Sequence, residues 1–490
     1  MNKGLRSSAA DRWSFLWLAI GAMLMVFANG RWIVPAATWL APVFLLRFTR
    51  TQKAGRGLAI NLLALMAVYI VAWKGLIPLP GIFYYIVAGS LGLVFWLAFV
   101  ADRLLTPRMT GFAGTLVFPL AWTTLEYVYT VTNPYASWGS LAYTQYQNLP
   151  LIQIVSVTGV WGLTFLITWF ASVFNWMWEN QFAWPGIRRG TVIYAGVLVS
   201  VLLLGGVRLV IFAPDGDAVR VDAITGTPQT EGLPSDQLLD NYLERTRHQA
   251  RAGADVVVWD EAGVVVDQPN EHLFVDRGCE LARQERIYLL MGLCVMNIKD
   301  TRGSAFNKAV WINPQGQVVF EYLKHLLIPG GSFIAGDGEL KTESTPFGKI
   351  TAAICMDLDH PGLIRQAGRA KADILLAPSS DWREIDPIHT RMAAFRAVEN
   401  GFSLVRCTNE GLSAAFDYQG RMLAAADYFN SHAAPLVSYV PAKGVETVYS
   451  VIGDAFAWLC AATIVLLLVR VAAGQRKHDV HRAEVDEELS

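Results

Sequence analysis

Long apolar runs fall in two parts of the chain and leave a long, more polar stretch between them. Seven runs come first and one follows the polar stretch; they lie near 13–30, 31–47, 57–73, 81–101, 111–132, 159–182, 190–213 and 450–472. About 20 apolar residues in a helix cross the core of a bilayer. The pattern predicts a polytopic α-helical membrane domain of about eight spans, with a polar domain inserted between the seventh and eighth spans.

The polar stretch itself predicts a layered domain. Short apolar runs such as 254–258, 349–354 and 373–377 alternate with polar helical patterns. Continuous apolar strands separated by helices are typical of an α/β fold with buried sheets. We therefore predict a transmembrane domain over 1–213, an α/β domain over 219–446, a closing span over 450–472 and a charged tail over 473–490 without fixed structure.

Positive charges mark alternate loops between the apolar runs. They are Lys3, Arg6, Arg12, Arg47, Arg50, Lys53, Arg56, Arg103, Arg108, Arg188, Arg189, Arg470, Arg476, Lys477 and Arg482. The intervening loops carry Arg31 and Lys74, and no charge lies between 133 and 158. Because positive loops stay in the cytoplasm, both termini are predicted to be cytoplasmic. The α/β domain is then predicted on the extracytoplasmic side, the periplasm in a cell with two membranes.

The overall composition supports a membrane protein. Of 490 residues, 53% are hydrophobic and 17% are charged, and the formal net charge is -1. Soluble domains carry about 25% charged residues, so a purely cytosolic enzyme is disfavoured. The near-neutral charge argues against nucleic-acid binding, which needs a basic face. Such a hydrophobic chain is also not disordered.

Three residues with useful chemistry follow buried apolar runs. Glu261 comes after the run at 254–258, Lys324 after 321–323, and Cys355 after 348–354. Active sites of α/β folds lie at the carboxyl ends of strands. There a glutamate can accept a proton, a lysine can stabilise an oxyanion, and a cysteine near helix-terminus amides is favoured as the thiolate. Taken singly, a solvated carboxylate, a surface lysine and a buried core cysteine are the commoner roles.

The remaining cysteines indicate structural positions. Cys279, Cys294, Cys407 and Cys460 lie within predicted helices or strands, where a thiol packs as a small apolar group. Their scatter does not indicate a disulfide framework. No His/Cys cluster has metal-ligand spacing, so no metal site is predicted.

The order Glu, Lys, Cys at strand ends resembles the nitrilase superfamily of carbon–nitrogen hydrolases. Seven spans, such a domain and a closing span resemble the apolipoprotein N-acyltransferases within that superfamily. Segments 134–143, 324–329 and 396–421 are similar to that family's outer loop, lysine motif and C-terminal signature. The resemblance covers nearly the whole chain except the tail, and it implies a nitrilase-like αββα sandwich.

The resemblance also implies a chemistry. Glu261 would be the general base, Lys324 the oxyanion stabiliser and Cys355 the nucleophile. A membrane phospholipid would donate an acyl chain to Cys355, and the thioester would acylate the N-terminal amine of a diacylglyceryl-modified lipoprotein. The family implies lipoprotein maturation at the cell (inner) membrane by a monomer, without metal or cofactor.

Several positions depart from the family pattern. Asp260, Ser332, Met356 and Asp357 stand where the family usually has Pro, Glu, Tyr and Glu. Residues expected to support the site or contact substrate are Asp357, Met356, Ser332, Trp259 and Glu126, the last either lining the substrate entrance or reaching interfacial water. The departures leave open a membrane-anchored amidase or acyltransferase with another acyl donor or acceptor. A non-enzymatic lipoprotein-binding module is a third hypothesis, which the intact triad disfavours.

Overall fold

The computed structural model describes residues 12–214, 216–227, 230, 232–299, 304–431 and 434–488. Side chains are described up to residue 473, except that of Ser431. Lys3 and Arg6, and the side chains of Arg476, Lys477 and Arg482, lie outside these described parts, although they entered the prediction of orientation.

The N-terminal part is helical. Its helices are α1 (Ser14–Val26), α2 (Pro35–Thr51), α3 (Ala54–Ala72), α4 (Ile82–Leu105), α5 (Val117–Thr132), α6 (Leu149–Ile152), α7 (Val155–Thr158), α8 (Val160–Glu179) and α9 (Trp184–Ile211). Proline starts α2, where its missing N–H costs nothing. Gly92 lets α4 approach α3 closely, because a Cβ there would lie 2.7 Å from the backbone nitrogen of Met66.

The α/β domain contains thirteen strands among its described residues. They are β1 (Ala218–Ile224), β2 (Val256–Trp259), β3 (Val264–Asp267), β4 (Tyr288–Met296), β5 (Ala305–Ile312), β6 (Val318–Leu323), β7 (Thr342–Thr345), β8 (Gly348–Ala352), β9 (Ile374–Ser380), β10 (Ser403–Asn409), β11 (Leu412–Phe416), β12 (Met422–Asp427) and β13 (Leu436–Pro441). The helices are α10 (Ser235–Arg251), α11 (Glu271–Glu285), α12 (Pro361–Arg369), α13 (Ile388–Asn400), α14 (Tyr428–Ser431) and α15 (Val448–Ile452).

The strands form two sheets. One has the order β13-β1-β2-β4-β5-β6, with β3 beside β4, and the other has the order β12-β11-β10-β9-β8-β7. The central neighbours β1, β2 and β4 are parallel, as are β8, β9 and β10. Their carboxyl ends therefore collect loops at one edge of each sheet, where ligand sites of α/β folds form.

Alternate side chains build the layers. Val256 and Val258 point into a core shared with Ile350 of the second sheet, whereas Val257 packs on the opposite face with Tyr242 of α10. Helices α10 and α11 cover the first sheet, and α12 and α13 pack against the second. The order of layers is the predicted αββα sandwich.

Helix α13 packs on two cores at once. Ala393 and Ala397 belong to the core of the sandwich, whereas Met392, Phe395 and Val398 belong to the core of the helical domain. The ring of Phe395 lies 5.0 Å from that of Tyr143 in the segment between α5 and α8. The two domains therefore share an apolar contact through α13.

A last helix, α16 (Ala455–Glu488), returns to the helical domain and contacts α5. Helices thus occur at all eight predicted apolar runs. In the described residues, five of them, α3, α4, α8, α9 and α16, are long and apolar enough to cross a membrane; the number of eight spans stays a prediction. The tail predicted to be irregular instead continues α16 to Glu488, consistent with its many good helix formers.

Candidate active site

Glu261 lies in the turn after β2, and its carboxylate is held from both sides. Its Oε1 accepts hydrogen bonds from Lys324 Nζ at 2.5 Å and from Asn307 Nδ2 at 2.7 Å. Its Oε2 accepts one from the backbone N–H of Ser380 at 2.9 Å. These contacts fix the carboxylate in one orientation, as a general base needs.

Lys324 follows β6 and is buried beside that carboxylate. Burial lowers the pKa of the ammonium group, but the opposite charge of Glu261 outweighs it and raises the pKa above its ordinary value. Lys324 is therefore a fixed cation, suited to stabilise negative charge that develops on a bound carbonyl oxygen.

Cys355 stands where β8 leads into a short 3₁₀ helix, Cys355–Asp359. Its φ of 49° is in the left-handed region that non-glycine residues rarely adopt. Such strained conformations occur at functional sites. The Sγ lies 3.5 Å from the carbonyl oxygen of Ser380, to which a thiol can donate.

The electrostatics differ from the prediction that helix amides favour a thiolate. Burial raises the pKa of the Cys355 thiol well above its ordinary value, and the charge of Glu261 adds to the effect. Lys324 and Arg406 act in the opposite direction without cancelling it. The surroundings of Cys355 therefore favour the neutral thiol over the thiolate.

Asp357, two residues beyond the nucleophile, connects the cysteine and lysine segments. Its Oδ1 accepts from the N–H of Leu326 at 2.7 Å, and its Oδ2 accepts from the hydroxyl of Tyr322 at 2.9 Å and from the N–H of Ile354 at 3.1 Å. Burial raises the pKa of this carboxyl to about 6. Asp357 therefore links the segment of Cys355 to the segment that carries Lys324.

A second charged network also reaches Cys355. Arg406 donates to both carboxylate oxygens of Asp381 at 2.9 Å, and its Nη2 lies 3.9 Å from the Cys355 Sγ. His389 bridges Asp381, at 2.7 Å, and Asp359, at 3.0 Å. Burial lowers the pKa of His389, but these carboxylates outweigh it and raise the pKa overall.

The network continues into the helical domain. The indole N–H of Trp138, between α5 and α8, donates to Asp359 at 2.8 Å, and the N–H of Ser137 donates to the Asp359 carbonyl at 3.1 Å. The Sγ of Cys355 and ligand atoms of Asp381 and His389 lie within 4.8 Å of one another. The Arg406 guanidinium already supplies the positive charge there, so we assign no metal to this cluster.

A cavity of about 560 Å³ joins the reactive groups to the helical domain. This volume is in the range of about 300–1,000 Å³ that is usual for ligand sites. Glu261, Lys324 and Cys355 line one end. The rest is largely apolar and aromatic, with Trp73, Leu76, Ile77, Val87, Leu91, Tyr129, Leu327, Ile328, Phe333 and Trp382 in its walls.

Comparison with known proteins then defines the family. The family described as carbon-nitrogen hydrolase matches residues 226–439, and the apolipoprotein N-acyltransferase N-terminal domain matches residues 10–173. An apolipoprotein N-acyltransferase of Geobacter metallireducens is 30% identical over 406 residues, 76% of this chain and 76% of the relative. The chain belongs to the apolipoprotein N-acyltransferase family.

Further relatives and a solved structure are more distant. The apolipoprotein N-acyltransferase of Shewanella oneidensis is 24% identical over 392 residues, 72% of this chain and 73% of the relative. Apolipoprotein N-acyltransferase 2 of Treponema pallidum is 25% identical over 440 residues, covering 76% and 78%. Among solved structures, an amidase from Nesterenkonia sp. matches with 20% identity and a TM-score of 0.40, covering 47% of this chain and 92% of that chain.

The predicted triad and the predicted supporting residue Met356 line the cavity, but the other four supporting residues, Asp357, Trp259, Ser332 and Glu126, do not. Trp259 is buried under α10, where its indole donates to Thr246 at 2.9 Å. Ser332 is exposed. Glu126 is buried inside the helical domain, accepting hydrogen bonds from the hydroxyls of Ser140 at 2.7 Å and Thr164 at 2.8 Å; it neither lines the cavity nor reaches water.

Asp260, where the family usually has proline, does not line the cavity. Its carboxylate accepts from the hydroxyl of Tyr242 at 2.6 Å and from the N–H of Gly226 at 3.0 Å. Burial raises the pKa of Asp260 to about 6. The side chain therefore supports the turn that carries Glu261 from behind.

Sequence reasoning missed the network around Arg406 and the contact of Asn307 with Glu261. One signal was available for part of it: Asp381 directly follows the apolar strand β9, which pairs with β8, the strand before Cys355. Arg406 lies in the middle of β10, on the other side of β9. The partners on α13 and in the helical domain have no comparable signal, because they meet the site through long-range packing.

Proposed function

We propose that this chain transfers an acyl chain from a membrane phospholipid, through a thioester on Cys355, to the N-terminal amine of a diacylglyceryl-cysteine lipoprotein. The relatives' names support this lipoprotein N-acylation. The observation that carries the proposal is the cavity, because it joins Glu261, Lys324 and Cys355 to an apolar wall of the helical domain.

In the first half-reaction, Glu261 takes the proton of the Cys355 thiol as sulfur attacks the ester carbonyl of the phospholipid. The carbonyl oxygen becomes an oxyanion next to the Lys324 ammonium group. When the tetrahedral intermediate collapses, the C–O bond breaks, and Glu261 returns the proton to the departing lysophospholipid. The acyl chain remains on Cys355 as a thioester, the intermediate of covalent nucleophilic catalysis.

In the second half-reaction, the free α-amine of the lipoprotein attacks the same carbonyl. Glu261 accepts a proton from the amine, and Lys324 again faces the oxyanion. The C–S bond breaks as the amide forms, and the proton on Glu261 restores the Cys355 thiol. Transfer to the amine requires that water stays away from the thioester, which the apolar cavity walls favour.

The proposal includes an extracytoplasmic α/β domain with both termini in the cytoplasm. Loops predicted outside contact the α/β domain: Trp382 donates to the carbonyl of Gly75 after α3, and Ser137 contacts Asp359. Loops predicted inside contact each other, with Arg50 paired to Asp102 and Glu179. Labelling of single cysteines introduced at 75 and 179 with a membrane-impermeant maleimide tests this: only the first should react from outside in intact cells.

The decisive test of the activity is the intact mass of the purified full-length protein after incubation with a defined phospholipid. We expect an increment of one acyl group that hydroxylamine removes and that Cys355→Ala lacks. A diacylglyceryl peptide with a free N-terminal amine should discharge the adduct, whereas the same peptide with an acetylated amine should not.

Other outcomes would contradict parts of the proposal. An adduct that the free-amine peptide leaves in place would exclude this acceptor. Faster turnover of a water-soluble amide than of any lipid would favour the amidase hypothesis. An adduct that persists in Cys355→Ala would exclude the assigned nucleophile.

A further inference from the structure

The reacting sulfur has a second cation near it, in addition to the Lys324 that is paired with Glu261. Arg406, on β10, is fully buried and directs Nη2 to within 3.9 Å of the Cys355 Sγ, within hydrogen-bonding reach for sulfur. Lys324 is tied to Glu261 at 2.5 Å. The two cations therefore serve different atoms: the lysine lies with the base, and the arginine lies with the nucleophile.

Three contacts hold the guanidinium group in this place. Both terminal nitrogens donate to Asp381 at 2.9 Å, a bidentate geometry that fixes the plane of the group. The hydroxyl of Thr390 accepts from Nη1, and His389 Nδ1 lies 2.8 Å from Nη2. An arginine needed only for its charge would not require this many constraints.

A second carboxylate balances the charges behind it. Asp359 holds the far side of the His389 ring at 3.0 Å, and Trp138 from the helical domain holds Asp359. Arg406, Asp381, His389 and Asp359 thus form one buried network, and its Arg406 end lies next to the Cys355 Sγ.

We propose that Arg406 is a catalytic residue that stabilises the Cys355 thiolate, and that Asp381 and His389 are positioning residues for it. In the first half-reaction the thiol proton moves to Glu261 while Nη2 donates a hydrogen bond to the developing thiolate and keeps its own proton. In the second, the same hydrogen bond stabilises sulfur as the leaving group when the C–S bond breaks. These two steps rest on the proposed function; the effect on the thiol does not.

The test measures the rate at which iodoacetamide alkylates Cys355 in the full-length protein as a function of pH, read at that residue by peptide mass spectrometry. The titratable and charged groups around the thiol are Glu261, Lys324, Asp357, Asp359, Asp381, His389 and Arg406. Replacing Arg406→Gln together with Asp381→Asn removes one pair and leaves no unpaired buried charge from it.

We expect this double variant to alkylate roughly threefold more slowly at pH 7, with its midpoint raised by about half a pH unit, because the loss of Arg406 outweighs the loss of Asp381, which itself raises the pKa of the thiol. The matched control is Arg396→Gln with Glu399→Gln, an equally buried pair at 3.1 Å that does not touch Cys355; its profile should equal that of the wild type. Arg406→Lys retains the charge, but an ammonium cannot make the bidentate contact and also reach sulfur, so its midpoint should rise by a smaller amount.

An unchanged profile in the folded double variant would overturn the proposal, as would an equal shift in the control pair. If the double variant fails to fold, an unchanged alkylation profile in Arg406→Lys would overturn the proposal instead. Phospholipid is absent from this assay, so the two proposals can fail separately. A shifted profile without any acyl adduct would reject the proposed function and leave the role of Arg406 intact.

Discussion

Replacing Asp357→Asn tests whether this carboxylate positions Lys324, the proposed oxyanion stabiliser. The side chain is fully buried and accepts hydrogen bonds from Leu326, Tyr322 and Ile354. An asparagine of the same shape has one acceptor oxygen. If that oxygen keeps the two donors near Oδ2, the new NH₂ group faces the N–H of Leu326, two residues after Lys324.

The structure sets the size of the effect. One hydrogen bond to a charged acceptor is lost and one backbone N–H is left buried without a partner, which costs about 1.5–3 kcal/mol. The segment that carries Lys324 is then free to move away from the unpaired contact. If the whole cost is felt in the transition state, acylation of Cys355 slows by roughly 10- to 150-fold.

The assay is the single-turnover rate of acyl adduct formation from phospholipid, followed by intact mass and divided by the folded fraction. Asp373→Asn is a suitable control, because that carboxylate also accepts from two backbone N–H groups, of Lys349 and Gly444, but lies at the opposite end of β8. It should lower stability without slowing the folded enzyme. A wild-type rate in Asp357→Asn would refute the positioning role.

Three further outcomes follow from other contacts. Burial raises the pKa of Asp260 to about 6, so its protonated carboxyl contributes fully to the free energy of unfolding below about pH 4, and this contribution is lost as the pH rises through 6. Between these pH values, the free energy of unfolding measured by urea titration should decline by about 2–3 kcal/mol less in Asp260→Asn than in the wild type. An equal decline in both proteins would contradict the raised pKa. Gly292→Ala should abolish adduct formation, since a Cβ would lie 1.8 Å from the Asp260 carbonyl and displace Glu261; full activity would show that the turn can move freely. Replacing the exposed Ile328 and Phe333 by serine should slow acylation from phospholipid vesicles but leave thiol alkylation unchanged, and an equal loss in both assays would mean that the loop supports the fold instead.

Much of the architecture was predictable because it depends on local patterns. Apolar runs located helices at eight positions, and short continuous apolar segments located β2, β8 and β9 before any tertiary contact was known. The parallel-strand rule places Glu261 and Cys355 at the carboxyl ends of strands in two different sheets. That the two ends come together depends on the face-to-face packing of the sheets, which only the family resemblance predicted.

The remainder depends on contacts between residues far apart in sequence. Trp138 meets Asp359 across 221 positions, and nothing in either local segment indicates the pairing. Glu126 was predicted near the outer end of its span, but neighbouring helices bury it, because Ser140 and Thr164 satisfy its oxygens there. The tail after Ala472 lacked an apolar pattern, yet helix propensity alone continues α16.

The two-sided packing of α13 has a consequence for anyone who wants the catalytic domain in isolation. Cutting the chain at the domain boundaries would leave Met392, Phe395 and Val398 facing water, where a soluble protein normally carries polar side chains. Such a fragment would expose an apolar, aggregation-prone surface on α13, close to Asp381 and Arg406. A soluble version of the domain therefore requires polar side chains on that face of α13. In the full-length protein, the neighbouring helices cover this face.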